Sequence, residues 1–210
     1  MMKSIIILMA ACVFTGAVAD KYTEQMTKNI DAVYKAATIE DLQKAVNVFE
    51  RIGGAEKSKW EPYYYAAFGY VMMATREQEA SKKDAFLDQA EVALEKSAAV
   101  KADESEIVAL EGFIHMIRVT VDPASRGQQY SMMAMQAYGK ALGMNPGNPR
   151  ALALMAQMQF GTAQFFKQEP TEACETAKKA LAAFDEAKAI DALAPAWGRG
   201  MTEGLIKNCK

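Results

Sequence analysis

The single histidine, His115, is the first residue to consider for chemistry. Glu111 stands four residues before it, so both lie on one face of a helix, a spacing that can offer two ligands to a metal ion. A catalytic zinc ion normally takes three protein ligands, and no second histidine or cysteine stands at a supporting spacing. We expect His115 to be a packing aromatic residue. Metal handling or hydrolysis by the Glu111/His115 region is the alternative function.

Other patterns typical of catalysis or cofactor binding are sparse. A Ser-His-Asp or Cys-His set would have to use the same histidine, and neither glycine-rich phosphate loop occurs. Five clustered methionines suit a soft metal, but methionine is also common filler in irregular helical cores; they are Met132, Met133, Met135, Met155 and Met158. The sequence therefore predicts a protein that is not an enzyme, with no catalytic residue, no metal site and no cofactor.

The amino-acid composition limits what class of protein this can be. The chain has 210 residues, of which 51% are hydrophobic and 24% charged, enough for one domain with a sizeable core. The formal net charge is −2, and the lysines and arginines form no cluster. Because phosphate neutralisation needs clustered basic residues, nucleic acid is not expected as a partner.

The first nineteen residues have the pattern of an export signal. An apolar stretch from Ile5 to Val18 ends in a small-residue cleavage site at Ala19. We therefore predict a signal peptide at 1–19 and a folded domain at 20–210 in the periplasm or outside the cell. Lipoprotein processing at Cys12 is the rival interpretation, but it leaves too short an apolar stretch before the cut. No other segment is apolar for long enough to span a membrane.

A repeat organises the remaining chain. Alanines that each precede an apolar or aromatic residue by four positions recur every 44 to 46 residues, at Ala45, Ala90, Ala134 and Ala180. A small residue follows each alanine by twenty-two positions, at Ala67, Gly112, Ala156 and Thr202. Small residues at such points let two helices approach closely. Self-similarity at a fixed period is typical of stacked helical repeats.

One repeat carries a family resemblance. Ala134, Tyr138 and Ala141 lie on one helix face and precede the turn 145–149, Asn-Pro-Gly-Asn-Pro. This arrangement resembles the second helix of a tetratricopeptide repeat, although the usual period is about 34 residues. The resemblance implies an all-α solenoid of antiparallel helix pairs, with about four units of roughly 45 residues and a C-terminal capping helix.

Capping residues and apolar spacing predict nine helices along the chain. Residues 119–129, which contain Asp122-Pro123 and Arg126-Gly127, are expected to form an irregular connection. The helix that holds the fourth leading alanine is expected to end near Ile190. A closing helix is expected over residues 196–208, opened by Pro195.

Three further segments resemble a group of small secreted tetratricopeptide-like proteins of Bacteroidetes-type bacteria. They are 122–128, 161–166 and 196–198, ahead of a terminal Cys209-Lys210. This resemblance implies the fold and export, and it implies no reaction. The expected function is that of an exported scaffold that binds a protein or peptide.

The binding face follows from the repeat register. In stacked pairs the first helix of each pair lines the concave surface. Its inward residues in three successive units are Tyr64, Phe68 and Met72, then Glu106, Ala109 and Phe113, then Arg150, Ala153 and Gln157. The expected binding residues among them are Tyr64, Phe68, Phe113, Arg150 and Gln157. This mostly apolar and aromatic lining suits an amphipathic helix or an extended apolar peptide rather than a carboxylate clamp. Whether the groove is open, or is filled by the first helix or the added residues, stays undecided by sequence.

The two cysteines beyond the leader are predicted to pair. Cys174 and Cys209 lie equally far from the turn at Asp191-Ala192, so antiparallel packing of the last two helices brings them to one height. An oxidising compartment permits the bond. Two unpaired thiols are the alternative.

Overall fold

The computed structural model describes residues 15–187 and 191–209, which fold into nine α-helices without a β-strand. The helices are α1 (Thr15–Lys35), α2 (Ile39–Ala55), α3 (Glu61–Arg76), α4 (Ala80–Val100), α5 (Ser105–Val119), α6 (Pro123–Met144), α7 (Pro149–Phe165), α8 (Thr171–Glu186) and α9 (Arg199–Ile206). The predicted all-α fold is confirmed. Most of the predicted leader, including Cys12, lies outside the described residues, as does Ile190.

The helices stack as antiparallel pairs in two layers. Each of α1, α3, α5 and α7 packs against the helix that follows it, and α8 packs against α9. Helices α1, α3, α5, α7 and α9 also contact one another in that order, so they form the inner layer. Helices α2, α4, α6 and α8 form the outer layer. The inner layer therefore presents the concave face, as the repeat register predicts.

Polar side chains and prolines fix where several helices begin. The Thr38 and Asp122 side chains accept hydrogen bonds from backbone N–H groups three residues later, at the starts of α2 and α6. The expected irregular connection over 119–129 is wrong, because Asp122 caps α6 and Pro123 occupies its first turn. Proline suits that position, since its missing N–H has no intrahelical partner there.

Repeat positions form the contacts between layers. The four leading alanines are all buried, and so are the small residues twenty-two positions later. At Gly112 the crossing is so close that an added Cβ would lie 2.3 Å from the Tyr138 ring. The Tyr138 hydroxyl donates a hydrogen bond to the Gly112 carbonyl at 2.9 Å. Only glycine allows the tyrosine of α6 to seat against α5.

The end of the chain differs from expectation. The closing helix covers only Arg199–Ile206 instead of 196–208. Leu193–Gly198, which we call the strap, is irregular and crosses the inner layer. Gly198 has a φ of 105°, a conformation that favours glycine and separates the strap from α9. Trp197 of this segment packs on the inner helices.

The predicted disulfide between Cys174 and Cys209 is confirmed. It joins α8 to the residues just after α9, with the two Cα atoms 5.8 Å apart and a sequence separation of 35 residues. The bond fixes α9, and with it the end of the strap, against the last outer helix.

Candidate functional site

The concave face is crossed by the strap, whose backbone is held there by two tyrosine hydroxyls. Tyr65 donates a hydrogen bond to the Leu193 carbonyl at 2.8 Å. Tyr34 accepts one from the Ala196 N–H at 3.1 Å. These bonds attach the C-terminal part of the chain to α1 and α3, the inner helices at the opposite end of the stack.

Trp197 is the centre of the strap. Its indole stacks on Phe68 of α3, with ring centroids 5.0 Å apart and planes inclined by 24°. It also stacks on Phe113 of α5, at 5.7 Å and 25°. The indole N–H donates to the Tyr64 hydroxyl at 3.0 Å. A single side chain thus covers the aromatic surface of two successive repeats.

A cleft opens beside Trp197 on the concave face. It has a volume of about 390 Å³. Its lining comes from α1, α3 and the segment at the start of α9, namely Val33, Tyr34, Phe68, Met72, Arg76, Ala196, Trp197, Gly198, Arg199 and Gly200. Aromatic faces and a methionine form its walls. Such a surface suits an apolar, planar ligand.

Two arginines give the cleft a cationic rim. The Arg76 guanidinium donates to the carbonyl of Ala36 at 2.8 Å, near the end of α1. Arg199 is paired with Asp185 and lies 3.6 Å from Glu203. Guanidinium groups bind carboxylates well, so an acidic group at this rim competes with the partners that Arg76 and Arg199 already have.

The predicted binding residues lie together at and beneath the strap. Phe68 lines the cleft, whereas Tyr64 and Phe113 contact Trp197 from below. Gln157 donates to the Met201 carbonyl at 3.3 Å, so it faces α9. All except Gln157 are buried. Their role in ligand binding stays a prediction.

Arg150 has a buried partner. Its Nε and Nη2 donate to the two carboxylate oxygens of Glu106 at 2.5 and 2.7 Å. Burial raises the pKa of the Glu106 carboxyl even with this guanidinium beside it. The pair connects α5 to α7 beneath the concave face, and its donors and acceptors satisfy one another.

The repeat register predicts Met72 on the inner surface, but it does not predict Tyr34 or Trp197 in the site. Residues 196–198 carried a family resemblance, but no local signal assigned them to the groove. Trp197 and Tyr64 are 133 residues apart. A contact between residues so far apart in the sequence cannot be predicted from helical periodicity.

The geometry of the Glu111/His115 region is that of side-chain packing rather than of a metal or catalytic site. His115 Nε2 lies 3.9 Å from the Glu111 carboxylate, which is half exposed. The His115 ring is buried, and burial lowers the pKa of its imidazole. In the described part of the chain no three His, Cys, Asp or Glu side chains are grouped so that they could hold a metal ion.

A second cavity of about 390 Å³ lies on the outer side, between α2 and α4. Its floor contains Tyr63 and Tyr70, and its rim carries charged side chains from both outer helices. The Lys96 ammonium lies 5.9 Å from the centroid of the Tyr63 ring and occupies part of this space. The concave cleft has the more apolar and aromatic lining of the two.

Solved structures similar to this one include the HusA haemophore from Porphyromonas gingivalis. The two chains are 31% identical, with a TM-score of 0.80 over 90% of this chain and 92% of that one. The chain belongs to the HusA haemophore family. Another similar structure, that of the MamA protein, is 18% identical with a TM-score of 0.32, covering 82% of this chain and 99% of that one. No protein-family model and no curated protein matches the chain.

Membership of the HusA family fits the expectation of a helical protein of Bacteroidetes type. The relative is named as a haemophore, a binding protein, which fits a binding scaffold. Among the described helices, none combines the length and apolar character needed to cross a membrane.

Proposed function

We propose that this protein is an exported carrier of an apolar, planar ligand of the haem class, bound in the cleft beside Trp197. The observation that carries the proposal is the composition of that cleft: Tyr34 and Phe68 supply ring faces, Met72 supplies a polarisable contact, and Trp197 lies over the rings of Phe68 and Phe113. Aromatic faces prefer offset stacking on other flat rings. Family membership with a haemophore points to the same ligand class.

The rim explains how the ligand would be oriented. A haem or porphyrin with two propionate groups has an apolar ring and an acidic edge. Arg76 and Arg199 line the same cleft and supply guanidinium groups at its rim. The ring would enter the aromatic part while the propionates pair with these arginines. No residue of the cleft is required to perform a reaction.

Export is part of this proposal. The sequence of the first nineteen residues supports a cleaved leader, and the Cys174–Cys209 disulfide suits an oxidising compartment. The protein or peptide partner predicted from the repeat remains compatible with the aromatic lining. An apolar peptide is therefore titrated alongside the tetrapyrroles.

Titration with haem and with protoporphyrin IX, followed by the absorbance of the ring, tests the proposal. Saturable binding is expected, and Phe68→Leu is expected to weaken it by roughly tenfold or more, since aromatic anchors dominate such sites. Phe49→Leu is the matched control, because Phe49 is equally buried but packs on Tyr65 away from the cleft. Arg199→Gln should weaken binding of the diacid porphyrin and leave its dimethyl ester unaffected.

Two results contradict the proposal. One is the absence of saturable tetrapyrrole binding, with an apolar peptide binding instead. The other is an equal loss of binding in the Phe68 and Phe49 variants, which would assign the loss to folding. Melting temperatures of both variants measure that contribution directly.

A further inference from the structure

Trp197 occupies a surface that has the form of a ring-binding site. Phe68 and Phe113 belong to successive repeats and present their faces to one indole at nearly equal inclinations, 24° and 25°. Beneath it, the Tyr64 hydroxyl accepts the indole N–H. A flat ring with a polar edge is therefore already bound there, and it is supplied by the chain itself.

The cleft beside Trp197 is small for a tetrapyrrole. Its volume of about 390 Å³ is near the lower end of the range for ligand cavities, about 300 to 1,000 Å³. Trp197 is one of its walls. Removal of the indole would join the cleft to the faces of Phe68 and Phe113 and give one longer aromatic surface.

The strap has the structure needed for a local movement. Leu193 and Pro195 are buried and anchor its first part, while the disulfide fixes α9 beyond its end. Between these anchors Ala196 is exposed, and Gly198 has the permissive φ of 105°. Trp197 itself is only partly buried. Its movement away from the concave face would break the hydrogen bonds to Tyr64 and Tyr34 and leave both anchors in place.

We propose that a tetrapyrrole displaces Trp197 and stacks in its place on Phe68 and Phe113, an inference that rests on the proposed function. A ring larger than indole buries more apolar surface on these two faces and so competes with Trp197. The empty protein keeps its aromatic surface covered by its own side chain. Ligand binding then includes the cost of opening the strap.

Affinity measurements on two variants test the displacement. Trp197→Ala removes the competing ring, so protoporphyrin IX affinity should rise by roughly tenfold. Phe113→Leu should lower affinity by a similar factor, although Phe113 does not line the cleft when the strap is closed. Phe49→Leu again serves as the control for loss of a buried ring. Weaker binding by Trp197→Ala together with unchanged binding by Phe113→Leu would make Trp197 a fixed wall and overturn the inference.

A measurement without ligand separates this inference from the proposed function. The indole N–H of Trp197 is assigned by NMR with the Trp60→Phe variant, which leaves Trp197 as the single tryptophan. Its exchange with solvent should be roughly a hundredfold faster than that of the slowest core amides, because opening is local. Exchange as slow as the core would overturn the movable strap. Fast exchange without any tetrapyrrole binding would refute the proposed function and the displacement by a tetrapyrrole, and would leave only the movable strap.

Discussion

The two ends of the helical stack are stabilised in different ways. Around α2 and α3 the core consists of large rings: Phe49, Tyr64 and Tyr65 are fully buried and pack on one another at centroid distances of 5.3 to 5.5 Å. Helix α8 buries only Ala173, Cys174, Thr176, Ala177 and Ala180. The small side chains of α8 remove little apolar area from water. The same repeat register thus supports a core of large side chains at one end and a core of small side chains at the other.

An ion pair, a hydrogen bond and a disulfide compensate for the small buried side chains at the C-terminal end. The Arg150–Glu106 pair joins α7 to α5. The Asn148 side chain donates to Ser105 Oγ at 2.7 Å, and it also caps α7. The disulfide joins α8 to the end of α9. Directional bonds therefore hold together those repeats whose apolar contacts are weak.

The largest expected effect comes from cutting one partner of the buried ion pair. Arg150→Met leaves the Glu106 carboxylate uncompensated and should lower the free energy of unfolding by about 3 to 5 kcal/mol at neutral pH. Because burial raises the pKa of Glu106, protonation relieves the penalty, so the loss should shrink as the pH falls from 7 toward 4. Urea unfolding across that pH range measures it.

A second substitution provides the control for this prediction. Adding Glu106→Leu to Arg150→Met replaces the pair with apolar side chains and should restore most of the lost stability. If Arg150→Met alone lowers the free energy of unfolding by less than about 1 kcal/mol, the ion pair does not stabilise the C-terminal repeats, and the comparison between the two ends fails.

Removal of the disulfide is expected to have the next largest effect. The Cys174→Ala/Cys209→Ala variant should lose roughly 3 to 4 kcal/mol, the chain-entropy value for a closed loop of this length. Amide hydrogen exchange should show the loss chiefly in α8 and α9, with α2 and α3 unchanged. Uniform loss of protection along all helices would mean that the two ends share one stability, and the comparison would fail.

A smaller effect is expected where aromatic packing extends into the middle of the stack. Gly112→Ala places a Cβ against the Tyr138 ring and should cost about 1 to 3 kcal/mol by overpacking. Gly139→Ala in the adjoining helix meets nothing within 4 Å and should stabilise by up to about 1 kcal/mol through helix propensity. Thermal melting compares the two, and equal shifts would show that the close contact at Gly112 does not matter.

The sequence predicted most of the scaffold because the scaffold is local and periodic. Buried alanines at a fixed spacing specify the helix pairs, and the antiparallel turn near Asp191 placed Cys174 beside Cys209. The start of α6 was missed because Pro123 was interpreted as a breaker, whereas the Asp122 cap makes it a first-turn residue. A local rule applied at the wrong position explains that error.

The site was predicted only in part, for a different reason. Phe68 and Phe113 follow from register, since they occupy equivalent positions of successive inner helices. Trp197 reaches them from a segment that belongs to no repeat. Its partners depend on the completed tertiary structure, so neither periodicity nor capping signals could assign them.

The strap also has a consequence for how the chain folds. Stacked repeats contact only their neighbours, so they can fold and unfold one unit at a time. Here the Tyr34 hydroxyl meets the Ala196 N–H across 162 residues, and Tyr65 meets Leu193 across 128. These contacts join residues far apart in sequence, so they raise the contact order of the chain. The strap thereby places the last repeat in direct contact with the first, a contact that a linear array of repeats lacks.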